Sequence, residues 1–296
     1  MARLAFEYVP FGATARDEAI ACDGLVEGAG LHASHWAGNQ TPAPLKADTS
    51  AEIALKLVER GVPRGAVVTN NHFDTDGVLA VLALLEPELA MRHAGLLTAA
   101  AEAGDFDEWP ADDRGLRLDM AIRALAAGTA GDADAYARTL PVLGELIANI
   151  DGRSDLWGRE WQALLDAERR ASDGALQVEQ HGGIAVFVHR PGFEELPGPV
   201  LARRAPAGST RWLLAFEQPG GAYQYRYERP RWAWADTVRR PSLPPPSRNA
   251  IAQDLDASWA IKGELGMTGI LRTSRPVLRD PAEVVAVLLR RDPGAR

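Results

Sequence analysis

Apolar and polar positions fall into three textures along the chain. Through residues 1–47, short apolar blocks at 4–9, 19–22 and 30–34 are broken by Gly and Pro, the pattern of strands separated by turns. A helix is expected at 49–60. Ser50 or Thr49 stands at the capping position, Glu52 falls in the positively polarised first turn, and Gly61 stops the helix. The block 65–69 reads as a buried strand, and 78–85 restores helical character after a polar loop. Strand, loop and helix in that order predict an α/β unit on a parallel sheet.

From 86 to about 172 apolar residues recur at helical spacing, in 89–103, 116–127, 133–150 and 156–171, which predicts a layer of helices on or beside the sheet. Beyond 174 the period shortens to that of strands at 176–179, 184–189, 211–217 and 222–227. The last two are joined by Gln218-Pro219-Gly220-Gly221 as a hairpin. Four prolines in 241–247 read as a surface linker, and helices are expected at 248–255 and 282–289. The fold class is therefore α/β, with a parallel-sheet amino-terminal region, a helical layer and a strand-rich carboxyl-terminal region. The division is expected between 1–172 and 173–296.

Composition narrows the partners. A chain of 296 residues with 46% hydrophobic side chains can fill a large core without crosslinks. Its net charge of −8 argues against bulk binding of nucleic acid or an anionic membrane, since both need a basic excess. No window approaches the ~18 uninterrupted apolar residues of a membrane span, and the first residues carry no secretory apolar run, so a cytoplasmic protein is expected. The single cysteine, Cys22, excludes an intramolecular disulfide and a multi-thiolate metal cage. Any metal must then rest on His and carboxylates.

One segment carries chemistry: Val67-Val68-Thr69-Asn70-Asn71-His72-Phe73-Asp74-Thr75-Asp76-Gly77-Val78. An apolar strand delivers an imidazole and two carboxylates into a short loop before a helix, the position where open α/β sheets bind ligands. His72, Asp74 and Asp76 together suit a divalent ion, with Mn or Mg most in keeping with the oxygen-rich set. Gly77 is read as allowing a tight turn into the helix, and Asn71 and Gly77 as substrate contacts. Asp76 also stands where a helix N-cap would.

The run NHFDTDGVLAVLALL resembles the first motif of the DHH phosphoesterase family, in which a strand ends in His-x-Asp-x-Asp-Gly and a helix of small and apolar residues follows. That resemblance implies that His72, Asp74 and Asp76 are ligands of a two-metal site, manganese by preference, which hydrolyses a small phosphorylated molecule or nucleotide. The Asp-His-His triplet that names the family does not occur, so further ligands are sought elsewhere. His35, after a strand expected beside the motif strand, and Asp105 are the candidates. FDTDGVL is also similar to the first motif of haloacid-dehalogenase-like phosphatases, which would make Asp74 a nucleophile and Asp76 an acid/base with Mg; the lysine that family needs downstream could only be Lys262.

Other polar groups are weighed beside these. His32, His35, Trp36, Asn39 and Thr41 cluster in one loop, and Asp23 ends the apolar run Ala19-Ile20-Ala21-Cys22. His35 is preferred to His32, because strand alternation sends the two to opposite faces. His93 reads as a helix histidine and Asp48 as a cap. His181, before Gly182-Gly183, is a weak substrate contact, with a tight turn the simpler reading. Alternating tyrosines and arginines at 223–234 suit a platform for single-stranded nucleic acid or a nucleotide, but read first as a hairpin packing its aromatic face on the helical layer. A non-catalytic ligand or metal binder and a metallohydrolase acting on another bond remain open alternatives.

Overall fold

Val67–Thr69 (β4) lies between two parallel neighbours, Glu7–Tyr8 (β1) and Ala19–Cys22 (β2), and Leu31–Ala33 (β3) extends the sheet beyond β2. The order is β1-β4-β2-β3. Ile20 stands level with Val68 and with Leu31, so the carboxyl ends of β2, β3 and β4 lie side by side. The computed structural model describes residues 7–13, 19–61, 67–246, 248–255, 259–261 and 270–296. Parts of two expected strands, residues 4–6 and 65–66, lie outside the described residues, as does Lys262.

Helix Ser50–Arg60 (α1) is capped by Thr49. Its side chain accepts from Glu52 N while the Glu52 carboxylate accepts from Thr49 N, a reciprocal box of the kind whose loss costs about 1 kcal/mol. Helix Thr75–Leu85 (α2) is buried all round from Thr75 to Leu84, which its unbroken apolar run requires. Its N-cap is Asp74, which accepts from Gly77 N at 2.8 Å; Asp76 lies inside the first turn and is not the cap. Pro87–Arg92 (α3), Ala94–Phe106 (α4), Arg114–Ala126 (α5), Asp132–Ala148 (α6) and Ser154–Arg170 (α7) form the expected helical layer. The core joins Ile20 and Val68 of the sheet to α2 and to Leu97, Leu118, Leu143 and Ile147.

Backbone contacts divide the chain into two compact units. One comprises Met1–Gln162 with Ala235–Pro241, the other Ala163–Trp234 with Ser242–Arg296. A returning segment of this kind leaves no mark on local periodicity, and the sequence division at 172/173 does not contain it. Within the first unit, Ala235 bridges to Trp36 and Asp236 N donates to His35 O at 2.7 Å.

The second unit is built on a six-stranded sheet: Leu176–His181 (β5), Ile184–His189 (β6), Arg211–Gln218 (β7), Ala222–Glu228 (β8), Leu271–Thr273 (β10) and Trp259–Ile261 (β9), in that spatial order. Only β6 and β7 run parallel; the expected hairpin joins β7 to β8. Tyr225 and Tyr227 sit in a core with Ile184, Val186, Leu213 and residues of Arg248–Asp254 (α9) and Pro281–Arg291 (α10), so these tyrosines serve packing, but within their own unit and not on the helical layer as expected. Helix Gly198–Arg204 (α8) was not anticipated. Nor does the proline cluster hang free: Leu243 O accepts from Arg229 and Pro244 O from Arg211. Among the described residues no helix is long and apolar enough to cross a membrane.

Candidate metal centre

At the end of β4 the loop side chains are hydrogen-bonded to one another and to Tyr136. Asn70 donates to the buried Tyr136 hydroxyl at 2.9 Å and accepts from Asn71 N at 2.7 Å. Asn71 Oδ1 takes the Nδ1 edge of His72 at 2.9 Å, which leaves Nε2 aimed at Asp74 Oδ2 (2.9 Å) and Asp23 Oδ2 (3.2 Å). Asn71 thus orients His72. Gly77 has no unusual φ; its need is close approach, since a Cβ there would sit 2.3 Å from Asn70 Nδ2 and 3.0 Å from Asp74 Oδ1. The sequence-based reason given for this glycine, a tight turn, is replaced by a packing one.

Asp23, at the carboxyl end of β2, adopts φ 46°, a left-handed conformation that few non-glycine residues hold and that clusters at functional sites. Ser50 Oγ (2.8 Å) and Trp36 Nε1 (3.2 Å) donate to its Oδ1. His35 repeats the device seen at His72: its Nδ1 lies 2.6 Å from the main-chain oxygen of Asp48. Its Nε2 then faces Asp105 Oδ2 (3.1 Å), Asp23 Oδ1 (3.3 Å) and Asp76 Oδ2 (3.5 Å). An amide oxygen on Nδ1 selects the tautomer whose Nε2 lone pair can bind a metal, the arrangement found around metal-ligating histidines. Asp76 is fixed by the open amides of α1, accepting from Ser50 N and Ala51 N, both at 2.7 Å.

Two groups result whose donor atoms lie within 4.8 Å of one another: Asp23, His35, Asp76 and Asp105, and Asp23, His72 and Asp74. Asp23 is common to both. The first group is closed, with His35, Asp23 and Asp76 side chains at 0% exposure, while His72 and Asp74 keep 27% and 37% and form the open side.

The electrostatics are those of carboxylates crowded beyond what the imidazoles can neutralise. Burial pushes the Asp76 carboxyl well up, with Asp23 and Asp105 adding to it; burial raises Asp105 too. Desolvation and the charges of Asp23 and Asp105 bring Asp74 up to about 7. Burial opposes charge on both histidines, yet Asp23 and Asp74 hold His72 at about 11, and Asp105 and Asp23 hold His35 well above its ordinary value. Asp23 resists its own burial through contacts with His35 and His72 and stays well below the carboxylate range. Asp23 Oδ2 and Asp105 Oδ2 are buried without a well-aligned hydrogen bond. Oxygen-rich sets with one imidazole each, carrying such orphaned atoms, fit Mn or Mg, with Fe, Co and Zn also served by the imidazoles.

The structure therefore brings together His72, Asp74, Asp76, His35 and Asp105, and distributes the loop residues between two groups. Sheet order corrects one step of the sequence reasoning. His35 follows β3, and β2 intervenes between β3 and the motif strand. Asp105 occupies the last turn of α4. His32 contacts Val26 O at 3.1 Å, and His93 joins α3 to α4; neither belongs to the groups. His181, on β5 of the second unit, faces Glu179 at 3.0 Å and belongs to neither. Asp23 carried a usable signal, an acid followed by Gly at the end of an apolar strand block, but its partners are remote in sequence.

A family described as one of unknown function, DUF6687, matches residues 4–279. The chain belongs to the DUF6687 family. No curated protein matches the sequence. Among solved structures, this DUF6687 member is similar to a pGpG-specific phosphodiesterase, PggH, of Vibrio cholerae at 9% identity and a TM-score of 0.42, over 93% of this chain and 84% of that one.

Proposed function

We propose that this chain is a divalent-metal-dependent phosphoester hydrolase of the DHH type, acting on a small phosphorylated molecule or nucleotide. The observation that carries the reading is Asp23, one carboxylate shared by two His/carboxylate groups at the carboxyl edge of a parallel sheet. A pair of metals held by these groups would supply the clamp on attacking and leaving oxygens that in-line displacement at phosphorus uses, with Asp23 placed to serve both. In place of an Asp-His-His triplet, His35 and Asp105 complete the closed group.

Bound in the two groups, Mn or Mg would supply Lewis-acid polarisation of a phosphoryl oxygen and a water of lowered pKa. The chain's own residues do the rest. Asp23, Asp76 and Asp105 gather negative charge in a closed corner, and the α1 amides hold Asp76 so that it cannot swing away. Asn71 and the Asp48 carbonyl fix the two imidazoles with Nε2 inward. Trp36 sets its ring 5.2 Å from that of His72, beside the open edge. Both oxygens of Asp76 are engaged by amides, which favours a ligand role over the mobile acid/base of a haloacid-dehalogenase-like site.

The test is to strip the protein with chelator, reload it with Mn, measure metal by elemental analysis and assay mono- and diester p-nitrophenyl phosphates. Two metals per chain with Mn-dependent turnover support the proposal. Metal without turnover of any phosphoester makes the protein a metal binder, and no bound metal overturns the site.

A further inference from the structure

The second unit holds a cavity of about 410 Å³ on one face of its sheet, within the size range of small-molecule sites. Its floor is a row across three strands: His189 of β6 is level with Phe216 of β7, which is level with Gln224 of β8. The His189 and Phe216 rings stack, with centroids 4.5 Å apart. His189 is only 1% exposed, and neither ring nitrogen makes a well-aligned hydrogen bond, although the Phe187 backbone bears on the ring. Burial lowers it to about 4, so it is a neutral ring offering one donor and one acceptor.

Two residues along β8 from Gln224, on the same face, Arg226 stands directly opposite Arg272 of β10. Like charges in that position repel. Arg226 is balanced by Glu195 and Glu228, whereas Arg272 makes no ion pair with a described residue and its Nε is buried without a partner. Over the floor comes the segment after β6. It contributes Arg190, also without an ion pair among the described residues, and Phe193, a residue 43% exposed. Glu217 lines the wall as well.

We propose that this cavity binds a nucleoside monophosphate. The phosphate takes the unpaired guanidinium groups of Arg272 and Arg190, which suit a phosphate geometrically as well as by charge. Phe193 supplies an aromatic surface for a planar base. Gln224 and Glu217 supply the mixed donors and acceptors that a base edge requires, above a floor formed by the stacked His189 and Phe216 rings. The inference is independent of the metal centre, because every residue it uses lies in the second unit.

The experiment is calorimetric titration of the full-length protein in excess chelator, so that the metal centre cannot capture phosphate. The probes are guanosine 5′-monophosphate, adenosine 5′-monophosphate, guanosine and inorganic phosphate. At least one nucleotide should bind one-to-one and more tightly than guanosine or phosphate alone, and Arg190→Ala and Arg272→Gln should each weaken it by about tenfold or more. Arg190 is exposed, so its variant keeps the test decisive should Arg272→Gln fold poorly. Failure of both nucleotides to bind below about 1 mM, equal binding of guanosine, or unchanged affinity in Arg190→Ala overturns the proposal.

Discussion

His35 Nδ1 lies 2.6 Å from the main-chain oxygen of Asp48, and that one contact decides which ring nitrogen meets the carboxylates of Asp23, Asp76 and Asp105. Asp48 is itself held from a segment nearly two hundred residues away. Val238 N and Arg239 N donate to its Oδ1 at 2.7 and 2.8 Å, and Arg240 reaches its Oδ2 at 2.5 Å. Asp48→Ala frees the carbonyl to drift and should cost about 10- to 100-fold in metal affinity, the usual penalty for removing an outer partner of a metal-bound histidine. Competition with a fluorescent chelator measures it. Unchanged affinity would show that His35 needs no external aiming.

Asp23 serves both groups, whereas Asp105 serves one. Asp105→Ala should leave about one metal per chain and Asp23→Ala less than one, with Mn-dependent activity lost in both. Elemental analysis after gel filtration separates the two. Equal stoichiometry in the two variants would contradict a shared ligand.

Gly77→Ala pits two effects against each other. Alanine is favoured over glycine inside a helix by about 0.5–1 kcal/mol, but the new Cβ would fall 2.3 Å from Asn70 Nδ2, and relieving such a clash costs typically about 1–3 kcal/mol. Overpacking wins. The variant should unfold at lower urea concentration than wild type and lose metal, because Asn70 and Asp74 must both shift. A stabilised, metal-loaded variant would refute this account of the glycine.

Without metal, stability should fall as pH rises. Asp74 is raised from 3.8 to about 7 and His72 from 6.5 to about 11, so each binds its proton more tightly folded than unfolded. Their contributions are complete below the unfolded values and are lost as pH passes through the folded ones. Asp23, held low, acts in the opposite sense only in strong acid. In chelator the Tm should therefore decline between about pH 5 and 9, and added Mn should stabilise most at the alkaline end, where ligands are deprotonated. Scanning calorimetry across that range checks it; a Tm that climbs with pH in chelator would show that the cluster does not hold its protons.

The sequence by itself determined most of the elements, the short helix α8 excepted, and the reactive loop. Helical periodicity located α4 to α7, the Thr49/Glu52 box is written within four residues, and the run from Asn70 to Gly77 sets an imidazole and two carboxylates side by side in one short loop. Such features depend on neighbours within one or two turns, so local pattern suffices. Tertiary structure alone decided that Asp23, His35 and Asp105 join that loop, that His72 and Asp76 belong to different groups, and that residues 235–241 return to brace Asp48. Those outcomes follow from the strand order β1-β4-β2-β3 and from helix packing, which couple positions tens to hundreds of residues apart. Neither a period of 2 nor one of 3.6 encodes which strand lies beside which, because both report only which face of an element is buried.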